Sequence, residues 1–221
     1  MKSELFATTQ YQKIENNILL FLNKQQSFLS EQTVKSTRAV GDAIQDILGD
    51  HFVEIIGKNH IKNYSSAFAR RAMADLAFED LSECYYVIDV KTHRLSTKFN
   101  MPNITSVERI ARFYEDDRNY FVVLMVVYDI EDVSVKVKKV HFIPIEYLDW
   151  SCLTIGALGW GQIQIANSNN IVINSRTKRK QWMLSLCDIL VEQFYPKEII
   201  KIDARIKKFQ QIRTFWENHP D

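Results

Sequence analysis

Apolar residues recur along the chain with two alternating periods, and each change of period marks a boundary between elements. Tyr11, Ile14, Ile18, Leu19 and Leu22 fall three and four apart, which predicts an amphipathic helix over about 10–24. Val40, Ile44, Ile47, Leu48, Phe52 and Ile55 predict a second helix over about 37–56. Gly49 inside it costs about 1 kcal/mol against alanine and marks a candidate break. The period then shortens. Ala74–Phe78 and Cys84–Lys91 read as strands joined by the polar turn Glu79–Glu83, a hairpin. Ser106–Tyr114 returns to helical spacing. Phe121–Tyr128 is an unbroken apolar run, the signature of a strand buried on both faces. Val133–Lys138 alternates strictly, so one of its faces meets solvent, and Phe142–Ile145 extends the sheet to an edge where Pro144 is tolerated. A glycine-punctuated loop, Gly156–Gly161, leads into another alternating strand, Gln162–Ile165. Two helices, about 177–194 and 197–216, follow on either side of Pro196. This order predicts an α/β (α+β) chain with a mixed central β-sheet flanked by helices, in a single domain over 1–221.

Composition narrows the class. Apolar residues make up 46% and charged residues 25% of the 221, enough to fill a core and too apolar for a disordered or collagenous chain. The net charge is +1, so bulk charge does not grip a polyanion. The distribution is uneven, however. Residues 134–221 hold 13 Lys and Arg against 8 Asp and Glu, whereas the preceding residues are net acidic, so a polyanion is expected to meet the C-terminal part. Cys84, Cys152 and Cys187 are odd in number, widely spaced and without a CxxC pair, which suits a reducing cytoplasm rather than a disulfide framework or a zinc knuckle. The longest apolar run, 121–128, is far short of the ~20 residues of a membrane helix, and no signal core follows Met1; no membrane partner is expected.

The candidate chemistry lies at Asp75 and at Asp89-Val90-Lys91. On a strand, residues i and i+2 share a face, so Asp89 and Lys91 stand side by side, and a hairpin partner can bring Asp75 next to them. Two converging carboxylates make a hard-oxygen site suited to Mg²⁺, and a neighbouring lysine can orient an attacking water and offset charge in the transition state. That is the minimal set for metal-assisted phosphodiester hydrolysis. A D-x-K pattern is also common as a solvated ion pair. Here it ends the apolar strand Tyr85–Ile88, where unlike charges on one face need partners.

Val87-Ile88-Asp89-Val90-Lys91-Thr92, preceded by Asp75, resembles the PD-(D/E)xK nuclease core. The longer run Asp89–Ser96 through Pro102-Asn103-Ile104, then Gln162-Ile163-Gln164, Arg179 and Trp182 in the same order, resembles the HincII and EcoRV-like branch of the type II restriction endonucleases. The spacing of Gly41, Ile44, Leu48 and Phe52 resembles the helix before the active site of related blunt-cutting enzymes. The resemblance covers about residues 38–195, in patches. It implies a restriction endonuclease-like fold, with Asp75 and Asp89 as metal carboxylates, the Val90 carbonyl as a further metal ligand and Lys91 as the catalytic lysine. Ala74 stands where the motif has its naming proline. Many members add an acid from the preceding helix, for which Asp42 and Asp46 are the candidates; both also fit plain solvent-facing charges.

The resemblance further implies a DNA-binding surface. Thr92 belongs to it, and the segment Arg94–Asn103 approaches the minor groove, with Phe99 and Asn100 at a base step. Phe99 is either an apolar wedge that kinks the duplex or a residue packed under its own loop. Asn103, Gln162 and Gln164 join the same surface. Asn167-Ser168-Asn169-Asn170 falls at the major-groove recognition loop, and asparagine can pair bidentately with adenine, although these residues also suit any turn. Arg176, Lys178 and Arg179 belong to a run of cations at a helix N-terminus, where the dipole disfavours them unless an anion such as DNA phosphate is near. The implied function is Mg²⁺-dependent cleavage of both strands of double-stranded DNA at a short palindromic site by a cytoplasmic homodimer, leaving 5′-phosphate ends. Residues 1–35, mainly the first helix and the loop after it, are the expected dimerisation arm, and 177–221 are the C-terminal helices. The alternatives are a structure-reading repair or resolving nuclease of the same fold and a catalytically dead DNA-binding module.

Overall fold

The structure, a computed structural model, describes residues 3–25, 35–64, 74–131 and 134–220. The chain divides into two compact bodies, 1–175 and 176–221. Among the described residues the first contains eight strands: β1 (Ile61–Tyr64), β2 (Leu76–Asp80), β3 (Tyr85–Arg94), β4 (Asn103–Ser106), β5 (Asn119–Glu131), β6 (Ser134–Pro144), β7 (Leu153–Gly156) and β8 (Gln162–Ile165). Five of them form a mixed sheet in the order β1-β2-β3-β5-β6, and β4-β8-β7 form a smaller one. Within the large sheet only β3 and β5 run parallel. The architecture is therefore mixed α+β around a five-stranded sheet, with α1 (Glu4–Ala7), α2 (Gln10–Lys24), α3 (Thr37–Ile56) and α4 (Val107–Phe113) in the same body.

The apolar run at the centre behaves as its composition dictates. β5 is buried without interruption from Tyr120 to Tyr128. Its even-numbered side chains, Val122, Leu124 and Val126, share a core with Ile14, Ile18 and Leu22 of α2 and with Val40, Ile44, Leu48 and Phe52 of α3. The odd-numbered Phe121, Val123 and Met125 are just as inaccessible, so both faces of the strand are covered. Phe78, Tyr86 and Tyr120 sit opposite one another on β2, β3 and β5 and stack across the strands, with ring centroids 4.5 and 5.3 Å apart. The N-terminus is tied to this ladder: the Ser3 N–H donates to the Tyr120 hydroxyl at 2.8 Å.

Helix α3 starts at a serine cap, the Ser36 Oγ accepting the Ala39 N–H, and runs through Gly49 without a break. The Gly49 carbonyl accepts the Tyr64 hydroxyl at 2.6 Å, a tertiary contact that offsets the helix propensity it lacks. Helix α2 lies along β6, the outer strand of the large sheet. The amide of Asn23 takes both the N–H and the C=O of Val137, and Glu15 accepts the Phe142 N–H. The apolar side of 10–24, expected to serve a dimerisation arm within 1–35, is thus occupied by the protein's own core; residues 26–34, the loop after it, lie outside the described residues. Lys136 and Lys138 are exposed, as their alternation requires.

The second body does not break at Pro196 as the helical spacing predicts. α5 (Arg179–Asp188) passes through a π-helical turn (Ile189–Phe194) directly into α6 (Tyr195–Glu217). Proline lacks an N–H and crowds the carbonyl four residues earlier; a widened turn just upstream absorbs both defects without ending the helix. Among the described residues no helix is long and apolar enough to cross a membrane.

Candidate active site

The register of the β2–β3 hairpin determines which polar groups meet. Leu76 faces Ile88, the last pair of the hairpin, and Asp75 comes one residue before β2. The Asp75 N–H donates to the Ile88 carbonyl at 2.9 Å, one residue out of that register, which holds Asp75 at the end of the ladder. Beyond that point β2 has ended and β3 goes on. The Val90 N–H therefore has no strand neighbour and donates instead to the Asp75 Oδ2 at 2.7 Å. A strand residue points its N–H and C=O to the same side, so the Val90 carbonyl opens onto this edge too, beside Asp75.

Asp89 and Lys91 share a face of β3. The Lys91 ammonium donates to the Asp89 Oδ1 at 2.6 Å, with the Asp89 side chain 8% exposed and the lysine 20%. The second oxygen, Asp89 Oδ2, is buried and has no hydrogen-bond partner among the described residues. Burial pushes the Asp89 carboxyl up to about 7; the Lys91 ammonium opposes the rise and the Asp75 carboxylate adds to it. Two neighbouring carboxylates and a backbone carbonyl are hard oxygen donors, so Asp75, Asp89 and the Val90 carbonyl are the groups here that could hold a divalent cation.

The helix contribution differs from the expected one. Asp42 and Asp46 are both exposed, Asp42 facing Arg38 at 4.0 Å on the outer side of α3. The side chain that reaches the site is Gln45, whose Nε2 donates to the Asp75 Oδ1 at 2.8 Å. It lies one turn after Gly41, where α3 approaches β3 so closely that an added Cβ would sit 2.8 Å from the Thr92 Oγ1. Gln45 was not singled out from the sequence; a glycine at a close approach with a polar residue four positions on is the signal that could have pointed to it. The same contact places the half-buried Thr92 side chain on the α3 side of β3, the face opposite to Lys91.

The remaining candidates of the first body come together as two loops. Phe99 is 61% exposed, so it does not pack beneath its own loop. The Asn100 carbonyl accepts the Ser168 N–H at 2.8 Å, and the Pro102 carbonyl accepts the Ile165 N–H at 3.1 Å. Asn103 Oδ1 accepts the Gln164 Nε2 at 2.5 Å, while Gln162 pairs with Ser106 and Gly156 in the small sheet. Asn167 holds the turn through its Oδ1 on the Asn169 N–H, Ser168 is buried, and the Asn169 amide bonds to the backbone of the neighbouring loop. The Asn170 side chain is exposed. His93, given no role by spacing alone, is 2% exposed on the same face as Lys91, because β3 continues to Arg94. Arg176, Lys178 and Arg179 belong to the second body, where Lys178 precedes and Arg179 opens α5.

The chain matches no family model, and no curated protein matches it.

Proposed function

We propose that this protein is a type II restriction endonuclease that hydrolyses both strands of double-stranded DNA at a short palindromic site, with Mg²⁺, as a homodimer, leaving 5′-phosphate ends. The observation that carries the reading is the meeting of Asp75, Asp89 and Lys91 at one strand end, with a buried oxygen on Asp89 that has no partner among the described residues. Asp75, Asp89 and the Val90 carbonyl are the groups that would hold the ion. A Mg²⁺ bound there supplies Lewis-acid polarisation of the scissile phosphate and a more acidic water. Lys91 brings a positive charge to the phosphate and a group able to orient the nucleophile. Gln45 keeps Asp75 in place through its amide, as outer-shell partners of metal carboxylates do. Phe99, exposed beside this face, suits insertion at a base step. The restriction endonuclease-like fold and a cytoplasmic location belong to the same proposal.

A second reading, a structure-reading nuclease of the same fold, is favoured by one observation. Asn167, Ser168 and Asn169 spend their polar groups or their burial on holding the loop, which leaves fewer donors for base edges. Digestion of sequenced, unmethylated phage DNA with Mg²⁺, beside an Asp89→Ala variant and an EDTA control, separates the readings. Discrete fragments lost in both controls support the restriction enzyme, and a smear supports the structure reader. Binding without any cleavage refutes both and leaves a DNA-binding module.

A further inference from the structure

The side chain of Asn169 connects three segments that are distant in sequence. Its Nδ2 lies 3.1 Å from the carbonyls of Thr97 and Lys98, in the loop that leaves β3. Those acceptors orient the amide so that its Oδ1 faces His93, 3.0 Å from the ring Nε2. The imidazole therefore carries its proton on Nε2. Its other nitrogen, Nδ1, is buried and has no hydrogen-bond partner among the described residues, so the Asn169 bond is the polar anchor of this ring. His93 is two residues beyond Lys91 on a strand in unbroken register with β5 from Tyr85 to Arg94.

We infer that His93 and Asn169 form a positioning bracket that couples the two groove-facing loops, 94–103 and 166–170, to the strand bearing Asp89 and Lys91. The bracket rests on the nuclease reading for its consequence, though not for its geometry. The backbone bonds Ser168 to Asn100 and Ile165 to Pro102 make the two loops move as one piece. The His93–Asn169 bond then joins that piece to the catalytic strand one β-repeat from Lys91. Any displacement of Phe99 or Asn100 at a mismatched base step is transmitted to the position of the lysine. Neither bracket residue touches the reacting atoms; both act through Lys91, and their effect is on the discrimination between sites more than on affinity.

The test uses the full chain with His93→Leu, which keeps volume and removes the donor, and His93→Gln, which returns an amide N–H near the position of Nε2. Asn169→Ala, at an exposed loop position, serves if the leucine variant fails to fold. The ratio of cleavage rates on the cognate duplex and on a duplex with one mismatched base pair is the first readout. Loss of one such bond is expected to lower that ratio about tenfold in His93→Leu and Asn169→Ala, with His93→Gln restored to within about threefold of the parent. The second readout, amide hydrogen exchange of 94–103 and 166–170 in the protein without DNA, does not depend on activity. Both loops are expected to exchange faster together in the leucine and alanine variants. An unchanged cleavage ratio in an active enzyme overturns the coupling, and unchanged exchange in both loops overturns the bracket. A parent chain that cuts no DNA refutes the nuclease reading alone, and the exchange measurement still decides the bracket.

Discussion

Replacing Asp89 with Asn isolates the electrostatic cost of the site. In the folded chain the carboxyl titrates at about 7, against 3.8 in the absence of its surroundings. Between those two values the folded chain holds a proton that the unfolded chain has released. Stability is therefore fully present below 3.8 and falls as the pH rises through about 7. The difference corresponds to about 4 kcal/mol. An amide of the same shape does not titrate, so Asp89→Asn escapes the loss. It also leaves Lys91 without its counter-ion, but at 20% exposure the ammonium can reach water, which limits the offset to ~1 kcal/mol. Relative to the parent, the variant is expected to gain at least ~2 kcal/mol between about pH 4 and about pH 8, or ~4–8 °C in melting temperature for a chain of this size. Urea or thermal unfolding in EDTA at both pH values reads this directly, because every other titrating group is common to the two chains. Added Mg²⁺ at the higher pH is then expected to raise the parent and not the variant, closing the gap. A variant-minus-parent difference that is the same at both pH values refutes the reasoning that burial raises the Asp89 carboxyl.

Three further outcomes follow from the geometry. Gln45→Ala frees the Asp75 Oδ1 and is expected to lower Mg²⁺-dependent cleavage by ~10–100-fold at an unchanged melting temperature, measured by steady-state cleavage and calorimetry. Phe99→Ala, at a side chain 61% exposed, should leave stability within ~0.5 kcal/mol of the parent yet reduce cleavage at least ~10-fold; an equal loss of stability would place the ring in a packing role instead. Gly41→Ala pushes a methyl group against the Thr92 Oγ1 and is expected to cost ~1–3 kcal/mol in urea unfolding, with most of it recovered in a double variant that also carries Thr92→Ala.

Long elements with a strong period were legible from the residues alone. α2, α3 and β5 follow from their apolar spacing because burial of that stripe dominates every local preference along it. The strands β1, β4 and β7, four residues each, were missed, since so short a segment is held more by its neighbours in the sheet than by its own pattern; β8, of the same length, was read from its alternation. At the site, Asp75, Asp89 and Lys91 were legible because strand alternation and a hairpin suffice to bring them together. Gln45 was not, because the search along α3 looked for charge, and the group that reaches Asp75 is neutral. Thr92 was placed on the DNA surface by its position in a motif; strand parity, applied one residue past Lys91, puts its side chain on the helix side, against Gly41. Asn169 was read as a donor for bases, whereas its amide is saturated by two loops, a tertiary circumstance that no local pattern contains.

The way α2 covers β6 has a consequence for assembly. An outermost strand normally offers a row of open backbone groups on which another chain can dock and extend the sheet. Here Asn23 caps both groups of Val137 and Glu15 takes the N–H of Phe142, so two side chains of a helix stand in for a missing sixth strand. Growth of the sheet from copy to copy is blocked along this border. Two copies that associate along this border must do so through side-chain surfaces, and a chain shortened to begin after α2 would expose an unprotected border prone to fibrous aggregation.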